Sequence, residues 1–557
     1  MSRGGGRTDQ ELTPAERREL LSRLLRERTR RSGLSFAQER LWFLHHLAPG
    51  SSVYNVPAAV RLTGPLDVGA LARSLTEVAA RHDVLRTRFE RRKDGPLPVV
   101  DPAAEVPLPV EDLTDVPAAE RSARALARAN AAAREPFDLE SGPVWRALVL
   151  RLDTEEHLLV LTLHHIVAEG WSVALLFAEL ERLYAAHRGS GTGDGEASPL
   201  EPLPMQYADY ARWQRERWRD GALAGELEYW RRRLRGPSAT GGELPVLELP
   251  TDRPRPPVQT FAGAWASRRL PAGLARGVEA LAQSEGATAY MVLLAAFQAL
   301  LHRYTGQTDV LVGSPIAGRN RAEAERLIGV FVNTLVMRTD LGGDPSFTEL
   351  LGRVRETAVG AFSHQEIPFE RVVEKLQPDR HLSHTPIFQV MFALQNTPRP
   401  RLELDGLAPG RLLDPSRVHN ATTKVDLALF VEQVDGTLEA GCEYATDLFD
   451  AATVERLLEH YQVLLESSVA DPGRAISRLA LLPEAERRRL LVDWNRTAVD
   501  ADADDRELPV HELFERRAAE RGDADAVVFA DKRLTYRQLD ERANRLAHHL
   551  RRLGVRD

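Results

Sequence analysis

The pattern of apolar and polar positions is clearest in the stretch LLVLTLHHIVAEGWS, residues 158–172. Residues 158–166 are an apolar run between a charged approach and Gly170, which predicts a buried strand followed by a turn. Apolar residues then recur at helical spacing, at Val173, Leu176, Phe177, Leu180, Leu183 and Tyr184. This spacing predicts a helix over residues 172–186, with Ser172 as its N-cap.

Helices and strands alternate along most of the remaining chain. Apolar spacing predicts further strands over residues 55–62, 144–152 and 309–316. It predicts helices over residues 12–30, 35–44, 69–81, 122–135, 207–234, 274–281 and 288–304. Two stretches rich in Gly, Ser and Pro, residues 188–204 and 236–257, interrupt this pattern and predict linkers.

The adjacent histidines of the first stretch differ in what each can do. Strand side chains alternate between faces, so His164 and His165 point to opposite sides. One histidine can fill the core as a hydrogen-bonded group, while the other faces a cleft and exchanges a proton near neutral pH. Taken alone, two structural histidines are the commoner explanation of such a pair.

Composition narrows the function classes. Among 557 residues, 73 Lys and Arg stand against 81 Asp and Glu, a net charge of −8 that argues against nucleic acid as a partner. The single cysteine, Cys442, excludes a disulfide framework and a cysteine-based metal site, so we expect a cytoplasmic protein without a metal. No apolar run reaches the length of a membrane span, and the N-terminus lacks the apolar core of a secretory signal.

Seven stretches together point to one family. HHIVAEGWS resembles the HHxxxDG signature of condensation domains in non-ribosomal peptide synthetases, with Glu169 where the signature has Asp. Six others match further signatures of that family in the family's order, which are SFAQERLWFL, RHDVLRTRF, GSPIAGR, IGVFVNTLVMR, HQEIPFE and RHLSHTPIFQVMFALQN. Any one match would be weak, but seven in order across residues 35–396 are specific.

The resemblance implies a fold and a division of the chain. It implies an α/β (α+β) protein whose two chloramphenicol-acetyltransferase-like halves form a V-shaped pseudo-dimer with a central tunnel. The N-terminal half would cover residues 34–204 and the C-terminal half residues 205–481. The predicted helix within residues 1–33 is either a short solvated helix or a docking segment for an upstream partner.

The end of the chain has a different character. Residues 482–509 resemble the linker between condensation and adenylation domains, and residues 510–557 resemble the start of an adenylation (AMP-binding) domain. No Gly-rich phosphate loop follows, so we expect this tail not to adenylate by itself. We also expect it to leave apolar surface uncovered.

The resemblance implies an acyltransferase that acts on two carrier-protein thioesters. The α-amine of an acceptor aminoacyl thioester would attack the donor carbonyl, giving an amide and a free carrier thiol. No cofactor would be bound by this chain, because phosphopantetheine arrives on the donor and acceptor carrier proteins. These carriers and the rest of the adenylation domain are the expected partners.

Roles follow from the resemblance for the residues around the histidine pair. His165 is the catalytic candidate, either as general base or by orienting the amine, and His164 is expected in the core. Glu169 would be structural, paired with Arg319 as the leading partner and with Arg86 or Arg81 as alternatives. Gaining a methylene moves its carboxylate by about 1.5 Å relative to Asp, so either the loop compensates or the domain is slow.

The remaining candidates carry open alternatives. Gly170 provides either a positive φ or a simple helix entry. Ser172 is a helix cap or a tunnel-lining residue, and Asn333 is either a strand-end hydrogen bonder or a polar group of the tunnel. Trp171 and Trp213 fit packing better than contact with substrate.

Other functions remain as alternatives. A heterocyclisation domain would carry a DxxxxD pattern in place of the histidine signature, and an epimerisation domain would differ in its later signatures. A non-catalytic relative that only recruits partners has Glu169 as its one support. An acyltransferase that uses free coenzyme A is the remaining enzyme alternative.

Overall fold

The computed structural model describes residues 33–555 apart from seven gaps, which are 94, 190–197, 220, 236–243, 377–382, 396–399 and 498–507. The predicted N-terminal segment 1–33 lies almost wholly outside the described residues, as do parts of both predicted linkers and of the 482–509 connection. The chain divides into two compact units, residues 1–483 and 484–557, close to the change in character expected at residue 482.

Strands of the first unit form two main sheets and two further two-stranded sheets. They are β1 (Asn55–Thr63), β2 (Thr87–Arg92), β3 (Gly95–Val100), β4 (Val110–Asp112), β5 (Trp145–Asp153), β6 (Glu156–His164), β7 (Gly263–Arg269), β8 (Asp309–Ile316), β9 (Asn333–Asp340), β10 (Val390–Gln395), β11 (Arg401–Leu402), β12 (Gly410–Arg411), β13 (Leu427–Val434) and β14 (Thr437–Ala445). The first sheet has the order β1-β6-β5-β4, and the second has the order β7-β14-β13-β10-β8-β9, while β2 with β3 and β11 with β12 form the two-stranded sheets. The protein is therefore a mixed α/β protein, as the resemblance implied.

The first unit also contains twelve α-helices among its described residues. They are α1 (Phe36–Leu47), α2 (Val68–Arg81), α3 (Ala118–Arg134), α4 (Gly170–Gly189), α5 (Tyr207–Arg219), α6 (Ala224–Arg235), α7 (Leu274–Ser284), α8 (Ala289–Thr305), α9 (Ala322–Glu325), α10 (Phe347–Ser363), α11 (Phe369–Leu376) and α12 (Ala451–Ala470). Local sequence sets several ends: Ser35 and Gln38 form a capping box before α1, and Gly306, with a φ of 72°, ends α8.

One predicted helix is wrong. The apolar spacing predicted a single helix over residues 207–234, but the structure has two helices, α5 and α6. The break falls at Gly221, whose φ of 71° is a left-handed conformation that an α-helix cannot continue. A glycine in the middle of a periodic stretch was the available signal for this break.

The first sheet places the histidine pair. In β6, every residue after Glu156 is buried, because the strand lies between β1 and β5 in the sheet and is covered on both faces. The antiparallel register sets Asn55 of β1 opposite His164 at the end of β6. The strand therefore ends at His164. His165 follows it beside the edge of β1, at the start of the loop that leads to α4.

Segments of the second half also pack on the first sheet. Leu327, Ile328 and Phe331, which follow β8 in the chain, lie in the apolar core of the first sheet. Farther along, the Leu413 N–H donates to the Ala59 carbonyl of β1 at 2.8 Å. The halves are therefore interlocked, and the boundary at residues 204/205 and the V-shaped pseudo-dimer stay predictions.

The second unit is small. It contains α13 (Glu484–Arg488), a π-helical turn (Arg489–Asp493), α14 (Val510–Glu520), a hairpin of β15 (Asp525–Phe529) and β16 (Lys532–Thr535), and α15 (Tyr536–Arg552). Large apolar side chains of this unit are exposed, among them Val510 (82%), Phe529 (78%) and Leu553 (68%). The expected uncovered apolar surface is therefore present.

None of the described helices is by itself long and apolar enough to cross a membrane, although the bent pair α7 and α8 passes that test when the two are taken together.

Candidate active site

A cavity of about 2910 Å³ lies in the first unit and takes its lining from both sheets. The typical small-molecule site occupies roughly 300–1,000 Å³, so this cavity has room for more than one small substrate. His165 lines it from the end of β6, and Lys424 lines it from the segment just before β13.

His165 presents one unused nitrogen to the cavity. Its backbone N–H donates to the Tyr54 carbonyl at 2.7 Å, which holds the residue beside β1. Its Nδ1 lies 2.9 Å from the Ala168 carbonyl oxygen, and since a carbonyl only accepts, Nδ1 carries the hydrogen. Within the described residues Nε2 has no hydrogen-bond partner, so its lone pair is available to a ligand.

The environment keeps this imidazole neutral. Burial and the nearby charge of Lys424 lower the pKa of His165 to about 3. Protonation would place a second positive charge in an enclosed, largely apolar wall, which is unfavourable. His165 is therefore a hydrogen-bond acceptor at neutral pH and a weak base.

His164 lies on the other face, inside the core. Only 2% of it is exposed, and its Nδ1 accepts the Ile166 N–H at 3.1 Å. Edge-on contacts with the rings of His45 and Phe137 surround it. Burial lowers the pKa of His164 well below its usual value, so this histidine is a neutral core residue.

Glu169 is buried, and both carboxylate oxygens are occupied. Its Oε1 accepts from Arg319, with Nε at 3.0 Å and Nη2 at 2.9 Å. Its Oε2 accepts the backbone N–H groups of Phe331 at 2.9 Å and Val332 at 2.7 Å. Burial raises the pKa of Glu169, while Arg319 and the two N–H groups counteract that rise.

Arg319 extends this brace into the segment that crosses between the halves. It donates to the carbonyl oxygens of Ala324 and of Leu327, the latter at 2.7 Å, and its guanidinium lies 4.1 Å from the Phe331 ring centroid. The pair therefore ties the loop after His165 to residues 324–332. Removing one partner of a buried pair costs about 3–5 kcal/mol, since the other charge is left unpaired.

The alternative partners of Glu169 are wrong. Arg81 pairs instead with Glu179 at 3.0 Å. Arg86 pairs with Asp83 at 2.6 Å, three residues away in the chain. Both arginines are occupied on their own side of the first sheet, so they brace that half and do not contact the loop after His165.

At the start of α4 the structure decides between the alternatives for Gly170 and corrects the predicted N-cap at Ser172. The helix begins at Gly170, so Gly170 is a helix entry without a positive φ. Ser172 therefore lies in the first turn and is not the N-cap. Its hydroxyl instead donates to the Gly329 carbonyl at 2.9 Å and accepts the Gly329 N–H at 3.1 Å, in a fully buried position.

Asn333, at the start of β9, uses its side chain to hold a loop. Its amide donates to the carbonyls of Gln365 (3.0 Å) and Ile367 (2.8 Å), and its Oδ1 accepts the Phe369 N–H at 2.9 Å. These bonds fix the HQEIPFE segment beside the cavity, which Asn333 also lines. Of its two alternatives, the strand-end hydrogen bonder is the one these bonds support.

The tryptophans differ in their exposure. Trp171 lines the cavity and is 41% exposed, with its indole N–H donating to the Glu325 carbonyl at 3.2 Å. Trp213 lies under the guanidinium of Arg321, at 4.9 Å from the ring centroid. Trp213 is therefore a packing residue, whereas Trp171 leaves part of its ring open to the cavity.

The sequence predicted no role for Lys424. A lysine directly before an apolar strand was the available signal, because such a position brings a charged group to a buried wall. The sequence also predicted Ser172 as the N-cap of α4, whereas its hydroxyl bonds to the Gly329 backbone. Among the described residues no group of three metal-ligating side chains is present.

A family model described as Condensation domain matches residues 30–491, most of the chain. The chain belongs to the condensation-domain family. A second family model, AMP-binding enzyme, matches residues 514–557. Both resemblances identified in the sequence are confirmed.

Relatives of this condensation domain are peptide synthetases. The chain is 46% identical over 528 residues to a component of the linear gramicidin synthase of Brevibacillus parabrevis, covering 95% of this chain and 10% of that protein. It is 43% identical over 524 residues to phosphinothricin tripeptide synthetase PhsC of Streptomyces viridochromogenes, covering 94% and 47%. The chain therefore spans less than half the length of either relative.

Solved structures share the fold. The X-domain from teicoplanin biosynthesis superposes with a TM-score of 0.71 at 31% identity, covering 81% of this chain and 97% of that one. A four-domain non-ribosomal peptide synthetase superposes with a TM-score of 0.77, covering 94% of this chain and 39% of that one, and its 23% identity shows the fold alone.

Proposed function

We propose that this condensation domain forms an amide bond between a donor acyl or peptidyl thioester and the amine of an acceptor aminoacyl thioester. The observation that carries the proposal is His165, a neutral imidazole in the cavity wall whose Nδ1 is bonded to the Ala168 carbonyl and whose Nε2 has no hydrogen-bond partner among the described residues. Both substrates would be carried on the phosphopantetheine of partner carrier proteins, and the remainder of an adenylation domain would be a further partner.

Amide formation from a thioester requires little catalysis by the protein. The amine nitrogen attacks the thioester carbonyl carbon, the C–S bond breaks, and the amine proton ends on the departing thiol. Because a thioester is already activated, the site contributes mainly by orienting the two substrates. The low pKa of His165 favours orientation, with Nε2 accepting a hydrogen bond from the amine, over full proton abstraction.

Glu169, Arg319 and Ser172 would act as positioning residues. They hold the loop between His165 and α4 against residues 324–332 without reaching the cavity nitrogen themselves. Glu169 has a longer side chain than the Asp of the family signature, and its contacts with Arg319 and two N–H groups are nevertheless complete. This completeness argues against the non-catalytic interpretation, for which Glu169 was the one support.

The test loads two carrier proteins with defined aminoacyl groups and follows the dipeptidyl thioester by mass spectrometry. We expect product on the acceptor carrier and free thiol on the donor carrier. The control replaces the acceptor with an N-acetylated aminoacyl group, which lacks the nucleophilic amine. A teicoplanin X-domain has been solved in a complex with OxyB. If this chain likewise only bound a partner, no product would form, and the proposal would fail.

A further inference from the structure

Lys424 brings a positive charge to the wall that holds His165. It precedes β13 and lines the same cavity. Its ammonium lies 5.6 Å from the centroid of the Tyr54 ring, and the Tyr54 carbonyl is the group that receives the His165 N–H. Lys424 of the second half and His165 of the first half therefore both lie beside Tyr54.

Among the described residues this ammonium has no counter-ion of its own. No carboxylate of the described residues lies within 4 Å of it, whereas the neighbouring cavity cation Arg40 pairs with Glu370 at 3.1 Å. The cavity carboxylate Glu443 is shared with His419, at 3.5 Å. Burial lowers the pKa of Lys424, and Glu443 opposes this fall. Enclosing a charge without a partner is costly, so a ligand that satisfies it would bind favourably.

We propose that the Lys424 ammonium donates a hydrogen bond to the carbonyl oxygen of the donor thioester and stabilises the oxyanion that forms there. This inference rests on the proposed function and adds a catalytic residue to it. In the addition step the amine–carbon bond forms and the carbonyl π electrons move to oxygen, beside Lys424. When the C–S bond breaks, those electrons return, and the thiolate takes up the proton released by the amine.

The pairing with His165 supports this role. The reaction needs an acceptor for the amine N–H and a donor for the carbonyl oxygen, and the cavity wall carries His165 as the acceptor and Lys424 as a donor. The acceptor comes from the first sheet and the donor from the second half. A preorganised donor to a developing oxyanion typically contributes about 10²–10³-fold to the rate, and more in an enclosed site than in water.

The first experiment removes the charge and keeps the length of the side chain. We expect Lys424→Met to lower the single-turnover rate constant about 100-fold, with half-saturating carrier concentrations and melting temperature close to those of the parent. Lys93→Met is the matched control, since Lys93 is an exposed lysine that does not line the cavity, and it should keep the parental rate. An unchanged rate in Lys424→Met, or an equal loss in both variants, would overturn the proposal.

The second experiment restores the charge chemically. Cys442, the one native cysteine, is 1% exposed, and burial raises the pKa of its thiol, so it should resist alkylation in the folded protein. The Lys424→Cys variant treated with 2-bromoethylamine regains an ammonium on a side chain of nearly lysine length. We expect at least a tenfold recovery of rate, whereas iodoacetamide, which adds a neutral group, should give none.

These variants also separate the two proposals. If the parent forms no dipeptidyl thioester, the proposed function fails, and the role of Lys424 fails with it. If the parent is active and Lys424→Cys shows no rescue by the ammonium, only the assignment of Lys424 fails. Should Lys424→Met not fold, the treated and untreated forms of one folded Lys424→Cys preparation give the same decision.

Discussion

His165 and Glu169, four residues apart within HHIVAEG, have opposite surroundings. At the His165 end, Nε2 is left without a partner among the described residues and faces the cavity. At the Glu169 end, both carboxylate oxygens are filled by Arg319 and by the N–H groups of Phe331 and Val332. A side chain whose polar atoms are all bonded to protein, here called the filled end, holds the structure. One with an unpartnered acceptor, here called the open end, can bind substrate. The hydrogen-bond partners therefore distinguish the positioning residue from the chemical one within a single loop.

The largest effect on turnover is expected at the open end. His165→Ala should lower dipeptide formation by about 10²–10⁴-fold, because the acceptor that orients the amine is lost. The melting temperature should stay near that of the parent, since the lost ring makes one peripheral bond to Ala168. His187→Ala is the control, because His187 pairs with Glu77 away from the cavity. If His165→Ala kept the parental turnover, His165 would have no role in the reaction, and the contrast with Glu169 would fail.

The largest effect on stability is expected at the filled end. Glu169→Gln leaves Arg319 buried without its counter-ion, so the free energy of unfolding should fall by about 3–5 kcal/mol. Glu179→Gln, which breaks a buried pair with Arg81 and lies away from the cavity, should destabilise while the folded fraction keeps its turnover. Thermal melts and dipeptide assays on both variants decide this. A Glu169→Gln protein that melts normally and is inactive would place the acid in the chemistry.

How much of the contrast between His165 and Glu169 the sequence predicted depends on how far apart in the chain the contacting residues are. The opposite faces of His164 and His165 follow from strand alternation, a local rule, and the structure shows them so. The leading partner Arg319 came from family resemblance, and the ion pair is present. Its alternatives Arg81 and Arg86 were equally charged, and only packing decides that they pair with Glu179 and Asp83.

Long-range contacts account for what the sequence did not predict. The Ser172 hydroxyl bonds to Gly329, 157 residues away, because the segment after β8 crosses into the core of the first sheet. Lys424 meets the wall of His165 for a similar reason, since it belongs to the second half and lies over Tyr54 of the first. No periodicity or local motif encodes which segments cross between two halves.

A smaller loss is expected at Ser172, which supports the filled end. Ser172→Ala removes the hydroxyl that both donates to and accepts from the Gly329 backbone, leaving a buried N–H and carbonyl unsatisfied. The free energy of unfolding should fall by about 1–3 kcal/mol. Ser363→Ala, which removes an exposed hydroxyl bonded to Val359 within α10, should change it by less than about 0.5 kcal/mol. Denaturant titration of both variants gives the two values, and equal values would argue against the brace.

The surroundings of His165, at the open end, also predict how the reaction rate depends on pH. The pKa of His165 is lowered to about 3 by burial and by Lys424, so the imidazole stays neutral from pH 5 to 9 and its protonation does not limit the rate there. The acceptor amine, with a pKa of about 7.7–8.0, must lose its proton to attack, so the rate should fall about tenfold per pH unit below that value. A fluorinated acceptor of lower amine pKa should shift this limb. A limb near pH 6.5 that ignores the acceptor would mean that a histidine titrates.

The smallest effect is expected when the side chain of Glu169, at the filled end, is shortened by one methylene and keeps its charge. Glu169→Asp restores the residue of the family signature, but it withdraws the carboxylate by about 1.5 Å from the donors that now surround it. Arg319 can follow on its flexible side chain, whereas the N–H groups of Phe331 and Val332 are fixed by the backbone. We therefore expect a loss of about 1 kcal/mol in stability, well below that of Glu169→Gln, and turnover within about tenfold of the parent. Melts and dipeptide assays on the Asp and Gln variants side by side measure the difference.

If Glu169→Asp destabilises the protein as much as Glu169→Gln, side-chain length and not charge holds the loop. If Asp melts like the parent but loses a hundredfold in turnover, the acid positions the reacting groups directly, and the contrast between the two ends of the loop disappears.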